Sequence, residues 1–302
     1  MDRLAGGPVV IRAHASHVNA VVFSPDGTTL LSAGMDATIR LWSVPGWEPV
    51  GTLEGHEKSV NCLAFAPGGE AFATGSTDTS VLVWTFPSGR VEETLNGHAK
   101  SVAAVAFSPD GRLLASASYD SRVILWSWPG GEERRVLRAH PKNVGTIAIS
   151  PDGSLLASAG IGDEIFLWSL PGGELRERLG GHRGAISSVV FSPDGRTLTS
   201  AGYEGTVRVR SAADLRPLVE IPMPAGGQYP VAVSPDSRTL AIGAERRVDL
   251  YDAADGRRRA SFPVEAKGVY DVAFSPDGRL LAAAAADKRV RVWDLAPADS
   301  RR

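Results

Sequence analysis

Hydrophobic and polar positions along this chain alternate in short runs rather than in long helical periods. Between residues 18 and 53, four apolar and partly β-branched runs stand out: Val18–Phe23, Thr29–Ala33, Thr38–Trp42 and Val50–Leu53. Each is bounded by residues that favour turns, which is the signature of strands. Ser24-Pro25-Asp26-Gly27 separates the first two runs. Proline presets φ at the second turn position, aspartate suits the third, and glycine tolerates positive φ at the fourth. Asp36 marks a second turn, and Pro45-Gly46 opens a loop before the fourth run. The pattern predicts four antiparallel strands in about 42 residues and no helix.

The same phrase then returns. FSPDG begins at Phe23, Phe107, Phe191 and Phe274, with near-copies at Phe65 (FAPGG), Ile149 (ISPDG) and Val233 (VSPDS). The step is 42 residues except for the last, which is 41. An internal period of this length overrides any domain count taken from chain length. One four-stranded sheet cannot bury both of its faces alone. Seven such sheets, packed face to face around an axis, can. The expectation is an all-β fold, a single seven-bladed β-propeller over residues 8–296, with repeats beginning near 14, 56, 98, 140, 182, 224 and 265. FSPDG is then the hairpin turn between the first two strands of each blade. After Trp293 only the polar segment DLAPADSRR remains, and residues 297–302 read as a tail. Pro8-Val9-Val10-Ile11-Arg12 precedes His14 just as Val50–Leu53 precedes His56. Residues 8–12 are therefore expected to supply the outer strand of the last blade, closing the ring and removing unpaired edges.

The register of further residues resembles the WD-repeat (WD40) propeller family over essentially the whole chain. A Gly-His or Ala-His pair precedes the first strand at His14, His56, His98, His140 and His182. An aspartate sits in the second turn at Asp36, Asp78, Asp120 and Asp287, and a tryptophan ends the third strand at Trp42, Trp84, Trp126, Trp168 and Trp293. The resemblance implies buried tetrads in which a hydroxyl of the second strand joins these groups: His14/Ser32/Asp36/Trp42, His56/Thr74/Asp78/Trp84 and His98/Ser116/Asp120/Trp126. Later repeats depart from the pattern. Gly162 takes the aspartate position in the fourth; Glu204 and Arg210 replace Asp and Trp in the fifth; the sixth has Pro224, Ala241, Glu245 and Tyr251; the seventh keeps only Asp287 and Trp293. The fifth and sixth blades are expected to be the least rigid. The wording, with recurrent SPDGRLLA-like text, is similar to bacterial members of the family.

Composition narrows the functional classes. The 32 basic and 34 acidic side chains give a net charge of −2, without a long run of like charge, so no nucleic-acid partner is expected. The one cysteine, Cys62, lies in an apolar stretch and reads as a buried, inert thiol. The N-terminal stretch lacks a signal-peptide pattern and no apolar run is long enough to span a membrane, so the expectation is a cytoplasmic, monomeric protein with no membrane partner. No zinc-ligand spacing, calcium-loop carboxylate ladder or phosphate-binding glycine loop is present, so no metal and no cofactor are expected. A His/Ser/Asp set could also describe a hydrolase triad, but here it recurs in three blades, each time with a tryptophan, so no catalytic residue is assigned.

In the resembled family the partner-docking surface is the narrow face formed near the start of the first strand and in the turn holding the aspartate. Three positions per blade are implied: three and five residues after the histidine, and one before the aspartate. These include His17, Asn19 and Met35 in the first blade, Asn61 and Thr77 in the second, and Tyr119 in the third. The fourth gives Asn143 and Ile161, the fifth Tyr203, the sixth Tyr229 and the seventh Tyr270. The 21 positions so defined carry no Lys, Arg, Asp or Glu, yet hold four of the five tyrosines. Tyrosine suits interfaces because it buries a large area and keeps a polar tip; filling of grooves between blades is the alternative. The expected function is a non-catalytic scaffold or recognition module that binds a protein or peptide on this face. The alternatives are a lactonase- or phosphatase-like propeller enzyme, which needs carboxylates or histidines clustered in the channel, and a purely structural or engineered repeat propeller.

Overall fold

A computed structural model describes residues 7–296 of the 302-residue chain. The described residues form seven four-stranded antiparallel sheets, six of them in the order of the sequence. The first blade consists of Val18–Phe23, Thr29–Gly34, Thr38–Ser43 and Pro49–Glu54. The next five repeat this plan, and the seventh contains Val269–Phe274, Leu280–Ala285 and Arg289–Asp294. Its outer strand is Val9–Arg12, paired antiparallel with the register Val9↔Val292 and Ile11↔Val290. The ring is thus a seven-bladed propeller closed by its two ends.

The recurrent turn has one geometry throughout. In the first blade Gly27 N–H donates to Ser24 O at 2.8 Å, while Ser24 Oγ donates to Asp26 Oδ1 at 2.5 Å. Gly27 has φ +71°, and a Cβ there would come within 3.8 Å of Pro276 of the neighbouring turn. Five of the seven turns pack a proline against the glycine of the next turn around one end of the molecule, which suits the fixed phrase. In the sixth blade Ser237 takes the left-handed position at φ 62° and still makes the turn bond to Ser234 O.

The hydrophobic core lies between blades, in seven clusters. The cluster at the closing seam joins Ile11, Val18, Val21 and Trp42 to Ala284, Val290 and Val292. Of the closing strand, Ile11 faces inward at 7% exposure while Val10 is 47% exposed. Burial of one such side chain contributes about 2 kcal/mol. Trp128 lies in the core between the second and third blades, and Trp47 packs half-buried onto the closing-seam cluster.

Candidate interaction face and central channel

Within the first three blades a hydroxyl at the middle of the second strand sits between an indole and an imidazole. Trp84 Nε1 donates to Thr74 Oγ1 at 2.9 Å, and that oxygen lies 2.7 Å from His56 Nε2. His56 Nδ1 lies 2.9 Å from Asp78 Oδ2. The first blade shows the same chain through Trp42, Ser32, His14 and Asp36, and the third through Trp126, Ser116, His98 and Asp120. Burial lowers the pKa of all three histidines, so each ring is neutral near pH 7 and has one donor and one acceptor. A carboxylate only accepts, so Nδ1 donates to it, Nε2 accepts, and the hydroxyl donates to Nε2. Desolvation opposes the charge on Asp78, but bonds from Ser80 and His56 outweigh it and hold the carboxyl at about 2. Asp120 likewise sits at about 2, with Arg122 and Ala99 N–H added to His98. The hydrogen bonds of the set are all internal, which suits a brace better than a reactive triad.

The later blades keep fewer members. His140, Ser158 and Trp168 stay in contact, with no carboxylate on the imidazole. Glu204 replaces the aspartate beside His182 at 2.6 Å, and Arg208 joins it at 2.8 Å. The sixth blade buries Asp249 completely, bonded to Arg247 at 2.7 Å with Tyr251 close by.

The turn between the second and third strands defines one face of the ring. Its first residue is held by the same bond in five successive blades: Met35 N–H to His17 O, Thr77 to Ser59, Tyr119 to Ser101, Ile161 to Asn143 and Tyr203 to Ala185, all at 2.9–3.0 Å. That register turns the side chain outward. Met35, Tyr119, Ile161 and Tyr203 are 49, 44, 48 and 39% exposed. The hydroxyl pKa of Tyr203 is raised, first by desolvation and then by Tyr119, so these two phenols feel one another around Ile161. Asn19 and Asn61 have a different task. Asn19 Nδ2 donates to Ser59 Oγ and Val60 O of the next blade, and Asn61 to Ser101 Oγ and Val102 O. They tie neighbouring blades together at the rim. Tyr270 is half-buried against the His17 ring, with centroids 5.6 Å apart.

Tyr229 corrects the expectation of four rim tyrosines. It is 2% exposed, sits in the cluster between the fifth and sixth blades, and donates its hydroxyl to Pro224 O. The cause is local. The first strand of the sixth blade shrinks to Val231–Val233, and Gly243 N–H pairs with Pro230 O, so the face register of the other blades is lost.

Inside the ring lies a cavity of about 470 Å³, reaching from Thr77, Tyr119 and Tyr270 down the channel. One position per blade lines it: Ala20, Cys62, Ala104, Thr146, Ser188, Pro230 and Asp271. Cys62 is open to this narrow space rather than fully covered, yet desolvation still pushes its thiol up to about 12. Sequence reasoning did not single out Asp271, the one carboxylate on this channel ring. The signal was one acidic residue in a register otherwise of small or uncharged side chains, hidden in the apolar run VYDVAF. Among the described residues no group of three or more His, Cys, Asp or Glu side chains gathers as a metal site, and no helix is long and apolar enough to cross a membrane.

The family model for the WD domain, G-beta repeat, matches residues 8–43, 47–85, 89–127, 131–169, 173–211 and 256–294. Together these cover well over half of the chain, which therefore belongs to the WD40 family. The interval 212–255, between the last two matches, contains most of the irregular sixth blade. Propellers of this family typically serve as scaffolds for protein interactions.

Proposed function

We propose that this propeller is a non-catalytic recognition module that binds a protein or peptide through the face bearing Met35, Tyr119, Ile161 and Tyr203. The observation that carries this reading is the exposure of four large apolar side chains at one register of neighbouring blades. The other large apolar side chains exposed among the described residues, such as Val50 and Leu218, lie on outer strands, spread around the circumference. Solvent penalises apolar surface, and apolar side chains clustered on neighbouring blades in this way favour a partner that covers them. The lysines on this side, Lys58, Lys100 and Lys142, are one per blade and do not form a continuous stripe, and the rim offers no paired catalytic groups.

The test is affinity capture with the wild type and with Met35→Ala/Tyr119→Ala/Ile161→Ala/Tyr203→Ala. Tyr229 and Tyr270 are left intact because they pack internally. A partner retained by the wild type and lost by the variant at an unchanged melting temperature is the expected result. Retention of the same partner by both would move the site to the outer strands.

A further inference from the structure

Carboxylates that this fold draws into its interior have a positive or imidazole partner. Asp249 has Arg247 at 2.7 Å, Asp287 has Arg291 at 2.6 Å, and Glu204 has Arg208 and His182. Asp271 is different. Its Oδ2 accepts Val21 N–H at 3.0 Å and its Oδ1 accepts Val272 N–H at 2.9 Å, and among the described residues no ion pair reaches it. The strands packed against its own are Val18–Phe23, Val231–Val233, Thr239–Ala244 and Leu280–Ala285, and none carries an ionisable side chain. Cys62, on the same channel ring, is neutral. Desolvation pushes the carboxyl up to about 7. A charge in such a place is costly unless it is paired. The described residues supply no cation to it, and the channel is continuous with the face described above.

We propose that the channel beside Asp271 is a subsite for a lysine side chain of the protein partner, entering from the face that carries Tyr119, Ile161 and Tyr203. The inference rests on the binding role assigned to that face. Lysine is assigned rather than arginine because an ammonium needs only one of the lone pairs left free beside the two backbone N–H bonds. A guanidinium makes its strongest contact only by aligning with both oxygens at once. The slender apolar stem of lysine suits a lining of small residues such as Ala20 and Ala104.

The test uses immobilised whole protein and two degenerate seven-residue peptide libraries, one with lysine fixed at the centre and one with norleucine. Retention of the lysine library about tenfold above the norleucine library is expected, in line with a buried charge-assisted bond. Asp271→Asn should abolish the preference. The wild-type comparison stands by itself if that variant folds poorly. Equal retention of the two libraries, failure to retain either, or an unchanged preference in Asp271→Asn overturns the subsite. Spermidine that displaces the lysine library at concentrations below those at which the peptides bind would assign the site to a free polyamine and overturn the lysine assignment. Equal retention that is lost in Tyr119→Ala/Tyr203→Ala removes the subsite but leaves the interaction face. Retention indifferent to both sets of changes removes both.

Discussion

In the third blade, Ser116 is completely buried between Trp126 and His98, and His98 hands its other nitrogen to Asp120. In the sixth blade the register puts Ile242, not the expected Ala241, at the equivalent second-strand position, also completely buried, and the polar load has moved one strand outward to Asp249 with Arg247. Both blades hold four strands in the same order. The contrast shows that the blade demands a satisfied interior rather than one set of residues. A buried hydroxyl needs its indole and imidazole, whereas an isoleucine needs no polar partner. The same two blades differ on the interaction face: Tyr119 projects in the third, while in the sixth Tyr229 turns inward. Loss of the tetrad and loss of the outward register coincide in the one blade whose first strand is short.

Removal of residues 1–12 tests a feature common to all blades and should have the largest effect. The seventh blade would lose its outer strand and Ile11, and the thermal midpoint should fall by roughly 10 °C or more. An unchanged midpoint would mean that the closing strand contributes nothing to stability. Next comes the contrast between two tyrosines at different positions of the expected face. Tyr229→Ala should lower unfolding stability by about 3–5 kcal/mol, as for a large core truncation. Tyr119→Ala should stay within about 0.5 kcal/mol. Denaturant melts that rank the two together would erase the difference between the sixth blade and its neighbours.

A smaller effect separates the two kinds of blade interior. Ser116→Ala should cost about 2 kcal/mol because it strands the Trp126 N–H and His98 Nε2. Ile242→Thr should also destabilise, because the sixth blade lacks the indole and imidazole to receive the new hydroxyl. If Ile242→Thr proved stabilising, the need for a matched set would be refuted. The smallest effect is in acid. Burial, with a minor contribution from Arg178, lowers His140 from 6.5 to about 4. The unfolded chain therefore takes up this proton first. Its contribution to stability is full above pH 6.5, declines as pH falls towards 4, and is constant below that. His140→Gln should flatten the stability profile in that window by up to about 1.4 kcal/mol per pH unit. Parallel profiles for variant and wild type would contradict the lowered value.

Much of the architecture was legible in the chain because its causes are local. A Ser-Pro-Asp-Gly turn fixes a hairpin from four adjacent residues, and period-two alternation gives each strand a core face. The position of Val9–Arg12 could be read for the same reason: it repeats the spacing of an outer strand. The rim was partly legible. Met35, Tyr119, Ile161 and Tyr203 lie on one 42-residue register, with Thr77 between the first two, and the structure turns all four outward. Tyr229 could not be read in this way, because the spacing on either side of it is conserved while the strand between is cut short.

By itself, then, the sequence determined the number of blades, the four strands of each and the means of closing the ring, since turn chemistry and alternation act over a few residues. Only the tertiary structure decided which side chains share the channel and which charges lack a partner. Asp271 meets Val21 across 250 residues of chain, and such a contact exists only once the seventh blade has closed on the first.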